Sequence, residues 1–416
     1  GKKGCTAHVA LCYGPEGEMN QGSLSGKRVV LGVTGSIAAV DTIRLAHALR
    51  RRGCEVAAVM SAAASRIVHP DALTYATGNE VITALTGRVE HVAWCGEGGS
   101  ADLLLIAPCT ANTLCKMAAG IDDTPVTTFA TTALGRGMAV VVAPAMHESM
   151  YRHPGVKECL ARLGGWGVVI IPPRFEEGKA KLAGIDDIVL HCERELLGKP
   201  LAGRKVLVSS GPCREPVDDV RVLTTGSTGR MGQELALQAF RLGAEVVVVH
   251  HSFTPLVTNV QVATAAEMRD AVHRVCSEAK PDIYISAAAI SDFAPERQEG
   301  KLRSGSPRSL MLQPLPKLID EVLAGYDIPV VAFKLGHNEE ESAGRLLAKG
   351  VRMVVINGPE SMGSSETMVT ILDPDGKQET AGSKKEVAET IWKRILATSP
   401  DLTDRPDRPG AGPAIG

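Results

Sequence analysis

VVLGVTGSIAAV, residues 29–40, is the stretch on which the fold of the first half turns. Its run from Val29 to Val33 is apolar without alternation, so it reads as a strand buried on both faces of a parallel sheet. The run breaks at Gly35 and Ser36, which sit between this strand and a helix expected from Ala38. Small residues at a strand-to-helix turn let backbone N–H groups approach a phosphate. The same pattern returns in KVLVSSGPCREP, residues 205–216, backed by TTGSTGRMG, residues 224–232. Two such turns in separate halves predict two sites on one chain.

Outward from the first turn, strands are expected at 27–33, 55–60, 103–107, 139–143 and 167–171, with helices at 38–52 and 111–118. Strands alternating with helices imply an α/β fold, here a flavodoxin-like or Rossmann-like open parallel sheet. A helix at 188–197 and the polar stretch GKPLAGRK, 198–205, end this half. The pattern restarts with strands at 205–209, 245–250, 282–286, 329–333, 353–356 and 368–372, and helices at 231–242 and 384–396. The expected organisation is an N-terminal extension (1–25), a first domain (26–190), a linker (191–202) and a second Rossmann-like α/β domain (203–396). The tail, 397–416, is rich in Pro, Gly and Asp and reads as disordered.

A length of 416 residues suffices for two or three domains. Aromatics make up only 3%, so the cores must be packed with Val, Ile, Leu and Ala. A net charge of -2, with no basic stripe or aromatic platform, argues against nucleic acid. The lack of an 18-residue apolar run argues against a membrane span. The ten cysteines are scattered without a CxxC pair, and Cys54, Cys109 and Cys276 sit in apolar surroundings. That usage points to a reducing cytoplasm rather than a disulfide framework. The first residues lack the apolar core of a signal peptide.

In the first half, loops after strands gather at the carboxyl edge of the sheet, where ligands bind. Gly35, Ser36, Ile37 and Ala38 form the first such loop, and Ser61 ends the next strand. Thr110, Asn112 and Thr113 lie in APCTANTL (107–114), and Ala145, Met146, His147 and Met150 in APAMHESMY (143–151). The first turn is not GxGxxG and no acidic residue follows at dinucleotide spacing, so a mononucleotide such as FMN fits better than NAD. The glycine turn reads equally as a packing turn, and the two methionines equally as core. His91, in RVEHVAWCG (88–96), alternates with Val89 and Ala93, a pattern that also suits a core or surface histidine.

Residues 26–190 resemble the homo-oligomeric flavin-containing cysteine decarboxylases, through GSIA (35–38), the His91 segment, PCTANT (108–113), AAGIDDTPVT (118–127) and PAMHESMY (144–151). The resemblance implies that FMN oxidises the cysteinyl thiol carbon to a thioaldehyde, that CO2 leaves, and that the enethiol is then reduced. It implies His91 as the catalytic residue, with Gly35, Ser36, Ile37, Ala38, Ser61, Thr110, Asn112, Thr113, Ala145 and Met146 around the cofactor. Asp123, His147 and Met150 are implied around the substrate. Asp123 replaces an Asn of the bacterial pattern, and a carboxylate facing a carboxylate must be protonated, reoriented or compensated, for which His147 is the candidate. The flap EEGKAKLAG (176–184) lacks the cysteine of bacterial members; with Asp123 and His147 this is similar to archaeal ones. The family places flavin at a trimer interface, so a trimer or a multiple of trimers is expected, with His91 arriving from a neighbour.

In the second half, GPCREPVDDVR (211–221) mixes a tight turn with Arg214, Glu215, Asp218, Asp219 and Arg221, and reads equally as a solvated loop. TGSTGRMG (225–232) offers glycines, hydroxyls and Arg230 at a helix start, a triphosphate cradle without the Walker lysine. SAAAISDF (286–293) puts Asp292 just past a strand, and Lys301, Arg303 and Lys317 follow as cations. Together with AFKLG (332–336), these pieces resemble phosphopantothenate-cysteine ligase over about 201–394. The resemblance implies activation of 4'-phosphopantothenate by CTP with Mg2+, and attack of L-cysteine on the acyl-cytidylate. Implied nucleotide contacts are Gly211, Arg214, Gly226, Ser227, Gly229, Arg230, Ala288, Ala289, Asp292, Lys301, Phe333 and Lys349, with Lys301 also catalytic. Thr225 stands where the bacterial pattern has an Asn, whose amide fork a hydroxyl cannot copy. The ligase product, phosphopantothenoylcysteine, is the decarboxylase substrate, so the two resemblances describe consecutive steps. Rival readings are one active half, a flavoprotein of other function such as a flavin prenyltransferase, or a non-enzymatic scaffold.

Overall fold

The computed structural model describes residues 22–403, apart from 304, 306–308, 337–338 and 362. The chain divides into two compact units, Gly1–Val189 and Leu190–Gly416.

The first unit carries a five-stranded sheet in the order Glu55–Met60, Arg28–Val33, Leu103–Cys109, Ala139–Pro144, Val169–Ile170. All its pairings are parallel. The chain moves from its first strand to one side and then crosses to the other, as in a flavodoxin-like sheet. The switch point therefore lies beside the carboxyl ends of Arg28–Val33 and Leu103–Cys109. These central strands are almost wholly buried Val, Leu, Ile and Ala, and Phe129 is the large aromatic of the core. The helix expected at 38–52 begins instead as a 3-10 turn, Ile37–Asp41, and becomes α-helical over Thr42–Arg51. The alternation around His91 proved misleading. Glu90–Cys95 is a short helix, fastened where the Glu90 carboxylate accepts from the Thr86 N–H (3.0 Å) and hydroxyl. Those Thr86 bonds lower the Glu90 pKa to about 2.

The second unit carries an eight-stranded sheet in the order Thr258–Gln261, Glu245–His250, Lys205–Pro212, Ile283–Ala289, Val330–Leu335, Met353–Asn357, Glu366–Asp373, Gly376–Ser383. The first six are parallel, and the last two form an antiparallel hairpin at the edge. Its switch point lies between Lys205–Pro212 and Ile283–Ala289. Helix Lys384–Thr398 packs on helix Arg230–Arg241 through Trp392, fully buried, whose indole N–H donates to the Leu235 carbonyl at 2.9 Å.

Two segments differ from expectation. Helix Ile185–Leu196 runs through the first half of the expected linker. There the Arg194 guanidinium donates to the Phe240, Gly243 and Ala244 carbonyls and stacks 4.5 Å over the Phe240 ring, which fixes the segment. The tail is ordered to Thr403: Pro400–Thr403 is helical, Leu402 is buried, and the Arg204 guanidinium donates to the Leu402 carbonyl at 2.8 Å. The remainder of the tail, 404–416, and residues 1–21 of the extension lie outside the described residues.

Candidate active sites

In the first unit the loops at the switch point are tied together by Thr34, a buried residue that sequence reading passed over. Its hydroxyl donates to the Pro108 carbonyl (2.7 Å) and accepts from the Thr110 N–H (3.0 Å). Thr110 caps helix Ala111–Ala119 by accepting from the Thr113 N–H at 3.3 Å, and bonds the Thr113 hydroxyl at 3.2 Å. Asn112 is exposed on the same turn. A Cβ on Gly35 would lie 2.5 Å from the Ala63 Cβ, so this glycine serves close packing of the two loops. Ser61 accepts from the Ala64 N–H at 3.3 Å and shapes the facing turn.

The same unit holds a cavity of about 480 Å³, lined by Ser36, Ile37, Ala38, Val40, Ala145, Met146 and His147; Gly35, Ser61, Thr110, Asn112 and Thr113 are not part of its lining. Ile37 is 77% exposed, an unusual state for an isoleucine beside a cavity and suited to an apolar ring. The opposite wall is a hairpin of Arg174–Glu176 and Lys179–Lys181, whose inner strand pairs with Met146–His147. This hairpin is the cysteine-free flap, and its Arg174, Lys179 and Lys181, unremarked in the sequence, line the cavity. Lys181 is held by Glu176 (3.1 Å) and Glu177 (2.9 Å).

His91 does not line this cavity. It packs edge-on against Phe129, ring centroids 6.5 Å apart, and its buried Nδ1 has no hydrogen-bond partner among the described residues. Asp123 lies outside the cavity lining too, paired with Lys116 at 2.6 Å. Its charge is thus compensated by Lys116 rather than by His147. The His147 imidazole instead meets the Ser149 hydroxyl at 2.9 Å and caps helix Glu148–Tyr151. Met150 is half-exposed and outside the lining.

In the second unit Gly211 and Gly229 both have positive φ and touch: a Cβ on Gly229 would lie 3.0 Å from the Gly211 Cα. A Cβ on Gly232 would lie 2.3 Å from the Ser210 Oγ. The glycines let the end of strand Lys205–Pro212 meet the start of helix Arg230–Arg241 at the carboxyl edge, and Ser210 donates to the Gly229 carbonyl at 3.0 Å. Over them lies a cleft of two adjoining cavities, about 330 and 280 Å³, which share Ala288, Ile290, Asp292, Phe333 and Lys334. One end adds Ser227, Gly229, Arg230 and Ala289, the other Lys317 and Lys349. Lys349 is bonded to Asp320 at 2.8 Å. Lys334, Asn357 and Lys384 line the cleft without having been singled out. The Thr225 Oγ1 and Asn357 Oδ1 are buried there with no partner among the described residues.

Arg214 and Lys301 do not line this cleft; both are exposed. Arg214 sits on a separate hairpin with Val222–Thr224. Lys301 belongs to a segment stitched to the 217–221 loop, which is an anchor rather than a solvated loop. The buried Asp218 carboxylate accepts from the Val220 (2.8 Å), Arg221 (2.6 Å) and Leu302 (3.0 Å) N–H groups and from the Arg221 guanidinium. Burial pushes its pKa up, but these bonds outweigh it and hold the carboxyl well below the usual range. Asp219 accepts from the Gly300 N–H at 3.1 Å. Glu215 is buried and accepts from the Ala265 N–H at 2.7 Å, at the start of helix Ala265–Ala279. The Cys54, Cys109 and Cys213 thiols are pushed up to about 12 by burial, so they are packing groups rather than nucleophiles.

Residues 18–196 match the family model described as flavoprotein, and residues 201–398 the one described as DNA/pantothenate metabolism flavoprotein C-terminal domain. The coenzyme A biosynthesis bifunctional protein CoaBC of Thermococcus kodakarensis is 43% identical over 401 residues, covering 93% of this chain and 98% of that one. Its namesake in Methanocaldococcus jannaschii is 35% identical over 387 residues, covering 89% and 94%. A crystal structure of the C-terminal domain of a CoaBC protein is 30% identical, covers 49% of this chain and 99% of that one, and has a TM-score of 0.41.

Proposed function

The chain belongs to the family of coenzyme A biosynthesis bifunctional proteins, enzymes that combine a decarboxylase and a ligase domain, and from that premise we propose the step and the residues of each unit. The second unit joins 4'-phosphopantothenate to L-cysteine using CTP. The first decarboxylates the resulting phosphopantothenoylcysteine to 4'-phosphopantetheine. The observation that carries this reading is that each sheet has a cavity at its switch-point edge, one walled by Ile37, Val40 and Met146, the other by Arg230, Lys334 and Lys384. The first suits a flat apolar ring, the second a polyanion.

In the first unit Ser36, Ile37, Ala38, Ala145 and Met146 would hold FMN, with Thr110 and Thr113 fixing the neighbouring loop. FMN, when bound, supplies the oxidation and reduction at the thiol carbon. The pair Asp123–Lys116 carries no net charge, so it can receive a substrate carboxylate without the repulsion a lone Asp would exert. His91 keeps an unpartnered ring nitrogen for a proton or a carboxylate oxygen. Because His91 is absent from the cavity of its own chain, a second copy would supply it. Exposed Ile37, Val89, Val92 and Ile121 offer the apolar surface for such an assembly, a trimer or a multiple of trimers.

In the second unit Ser227, Gly229 and Arg230 would take the phosphates, with Ala288, Ala289, Asp292 and Phe333 around the rest of the nucleotide. Lys301 would approach on the segment that Asp218 and Asp219 anchor. Among the described residues no group of three or more His, Cys, Asp or Glu could hold a metal, so Mg2+ would enter on the triphosphate, its usual carrier. All eight described cysteines are free and no described helix is long and apolar enough to cross a membrane, which favours a reducing, cytoplasmic setting.

The test supplies purified chain with FMN, 4'-phosphopantothenate, L-cysteine and each nucleoside triphosphate, and follows pyrophosphate, CO2 and product masses. CTP-dependent pyrophosphate followed by flavin-dependent CO2 is expected. Loss of either output, with the other intact, would restrict the reading to one unit.

A further inference from the structure

Helix Lys384–Thr398 begins at the ligase cleft. Lys384 is its first residue, is 8% exposed, and lines the same cavity as Ser227, Gly229, Arg230 and Gly232. Buried lysines ordinarily face a carboxylate. Among the described residues, the ammonium of Lys384 has neither an ion-pair nor a hydrogen-bond partner. Its charged neighbour is another cation: burial first, then Arg230, lowers its pKa. Nor is it needed as a cap. Ser383 accepts from the Glu386 N–H at 3.3 Å, and the Glu386 carboxylate accepts from the Ser383 N–H at 2.8 Å.

Arg230 repeats the arrangement. It is the first residue of its helix, after Gly229, which has no side chain to cap the free N–H groups. Two cations thus stand at two helix N-termini, each the positive end of a helix dipole, facing one cavity. All four contributions repel one another in the absence of an anion. The unpartnered buried Thr225 Oγ1 and Asn357 Oδ1 in the same cavity are a second, independent sign that a ligand completes it.

We propose that Lys384, with Arg230, binds the β- and γ-phosphates of the nucleoside triphosphate and stabilises pyrophosphate as it leaves; this rests on the ligase reading above. In the step, a carboxylate oxygen of the acid attacks the α-phosphorus. The bond from that phosphorus to the oxygen bridging to the β-phosphate breaks, and its electron pair stays on pyrophosphate. No proton or redox equivalent is exchanged. The negative charge that develops on the departing oxygen is what a fixed ammonium on that side neutralises.

The experiment uses the full chain with Lys384→Gln and Lys384→Arg. Inorganic pyrophosphate, CMP and CTP are titrated calorimetrically, and pyrophosphate release is measured against CTP concentration. Lys384→Gln is expected to weaken pyrophosphate and CTP binding and to lower kcat/KM for CTP by roughly ten- to hundredfold. CMP binding should hold, and Lys384→Arg should recover most of the loss. Wild-type pyrophosphate affinity in Lys384→Gln would overturn the proposal, as would equal losses of CMP and CTP binding in both variants, the mark of a merely structural lysine. A wild-type chain that turns over no nucleoside triphosphate would sink the ligase reading, while the pyrophosphate titration would still decide the role of Lys384.

Discussion

Both units set a small-residue turn at the carboxyl edge of a doubly wound sheet, yet they surround it differently. In the second unit one chain brings Ser227, Gly229, Arg230, Ala288, Ala289, Asp292 and Phe333 to a single cleft, and helix Lys384–Thr398 adds Lys384. In the first, one chain supplies an apolar wall and a hairpin, but His91 and Asp123 lie outside the cavity. The difference follows from what each sheet has to build with. Eight strands and a helix that folds back give the ligase unit walls of its own. Five strands and a three-stranded hairpin sheet leave the cavity of the flavoprotein unit without His91 or Asp123, which in the reading proposed above another copy supplies.

The largest expected effect tests that contrast directly. His91→Asn should lower decarboxylation by roughly 10²- to 10⁴-fold, the range for losing a general acid–base group, while ligation persists. Ile37→Asp, which puts charge on the apolar wall, should lose FMN. Neither variant alone decarboxylates, but chains mixed after mild dissociation should recover activity if each site draws on two copies. Recovery is read as 4'-phosphopantetheine by mass. An unrecovered mixture whose chains demonstrably exchange would return His91 to its own chain's site and remove the contrast.

Gly232→Ala should come next. Its Cβ would lie 2.3 Å from the Ser210 Oγ, so the start of helix Arg230–Arg241 or the end of strand Lys205–Pro212 must move, a strain worth about 1–3 kcal/mol. The melting of the ligase unit should fall by several degrees and CTP turnover with it, with FMN content unchanged. An unchanged melting curve would mean that the contact of this helix start with the strand end does not set the cleft. Asp292→Asn acts on recognition alone and should raise KM for CTP by roughly tenfold, measured as pyrophosphate release.

How much of this could be read in advance depended on whether the signal was local. The strands Glu55–Met60 and Glu245–His250 are unbroken apolar runs, and their limits were evident. The edge strand Gly376–Ser383, KQETAGS after its glycine, carries no apolar period and was invisible. Helix Ala265–Ala279 was overlooked although Thr264 and Glu267 form a capping box, a signal that was available. In the sites, glycine-marked turns such as Ser227–Arg230 were legible because the backbone itself demands them. Thr34 was not, because its meaning comes from Thr110, 76 residues away. Lys384 was not, because a lysine at a helix start looks like surface until the cleft is seen. For His91 the two periods competed, and the Thr86–Glu90 fastening decided for a helix.

The smallest effect concerns Asp218, which touches no substrate in this reading but holds the Lys301 segment through the Leu302 N–H. Its carboxyl lies well below the usual range because the backbone donors and Arg221 favour the charged form over the cost of burial. The sign follows: a carboxylate with a depressed folded pKa contributes stability that is complete above its unfolded value, about 3.9, and that declines as pH falls below it. At neutral pH the lock is therefore fully engaged. Asp218→Asn keeps the size but loses the ion pair to Arg221 and leaves at least one N–H less well met. The Lys301 segment should loosen, with KM for CTP rising a few-fold and binding of CMP nearly unchanged. Hydrogen exchange at Leu302 should speed up in the variant at pH 7, and in the wild type only as the pH falls below the carboxylate range. Exchange at Leu302 equally slow in both proteins would show that the segment is held by something other than Asp218, and Lys301 would then lose its anchor in this account.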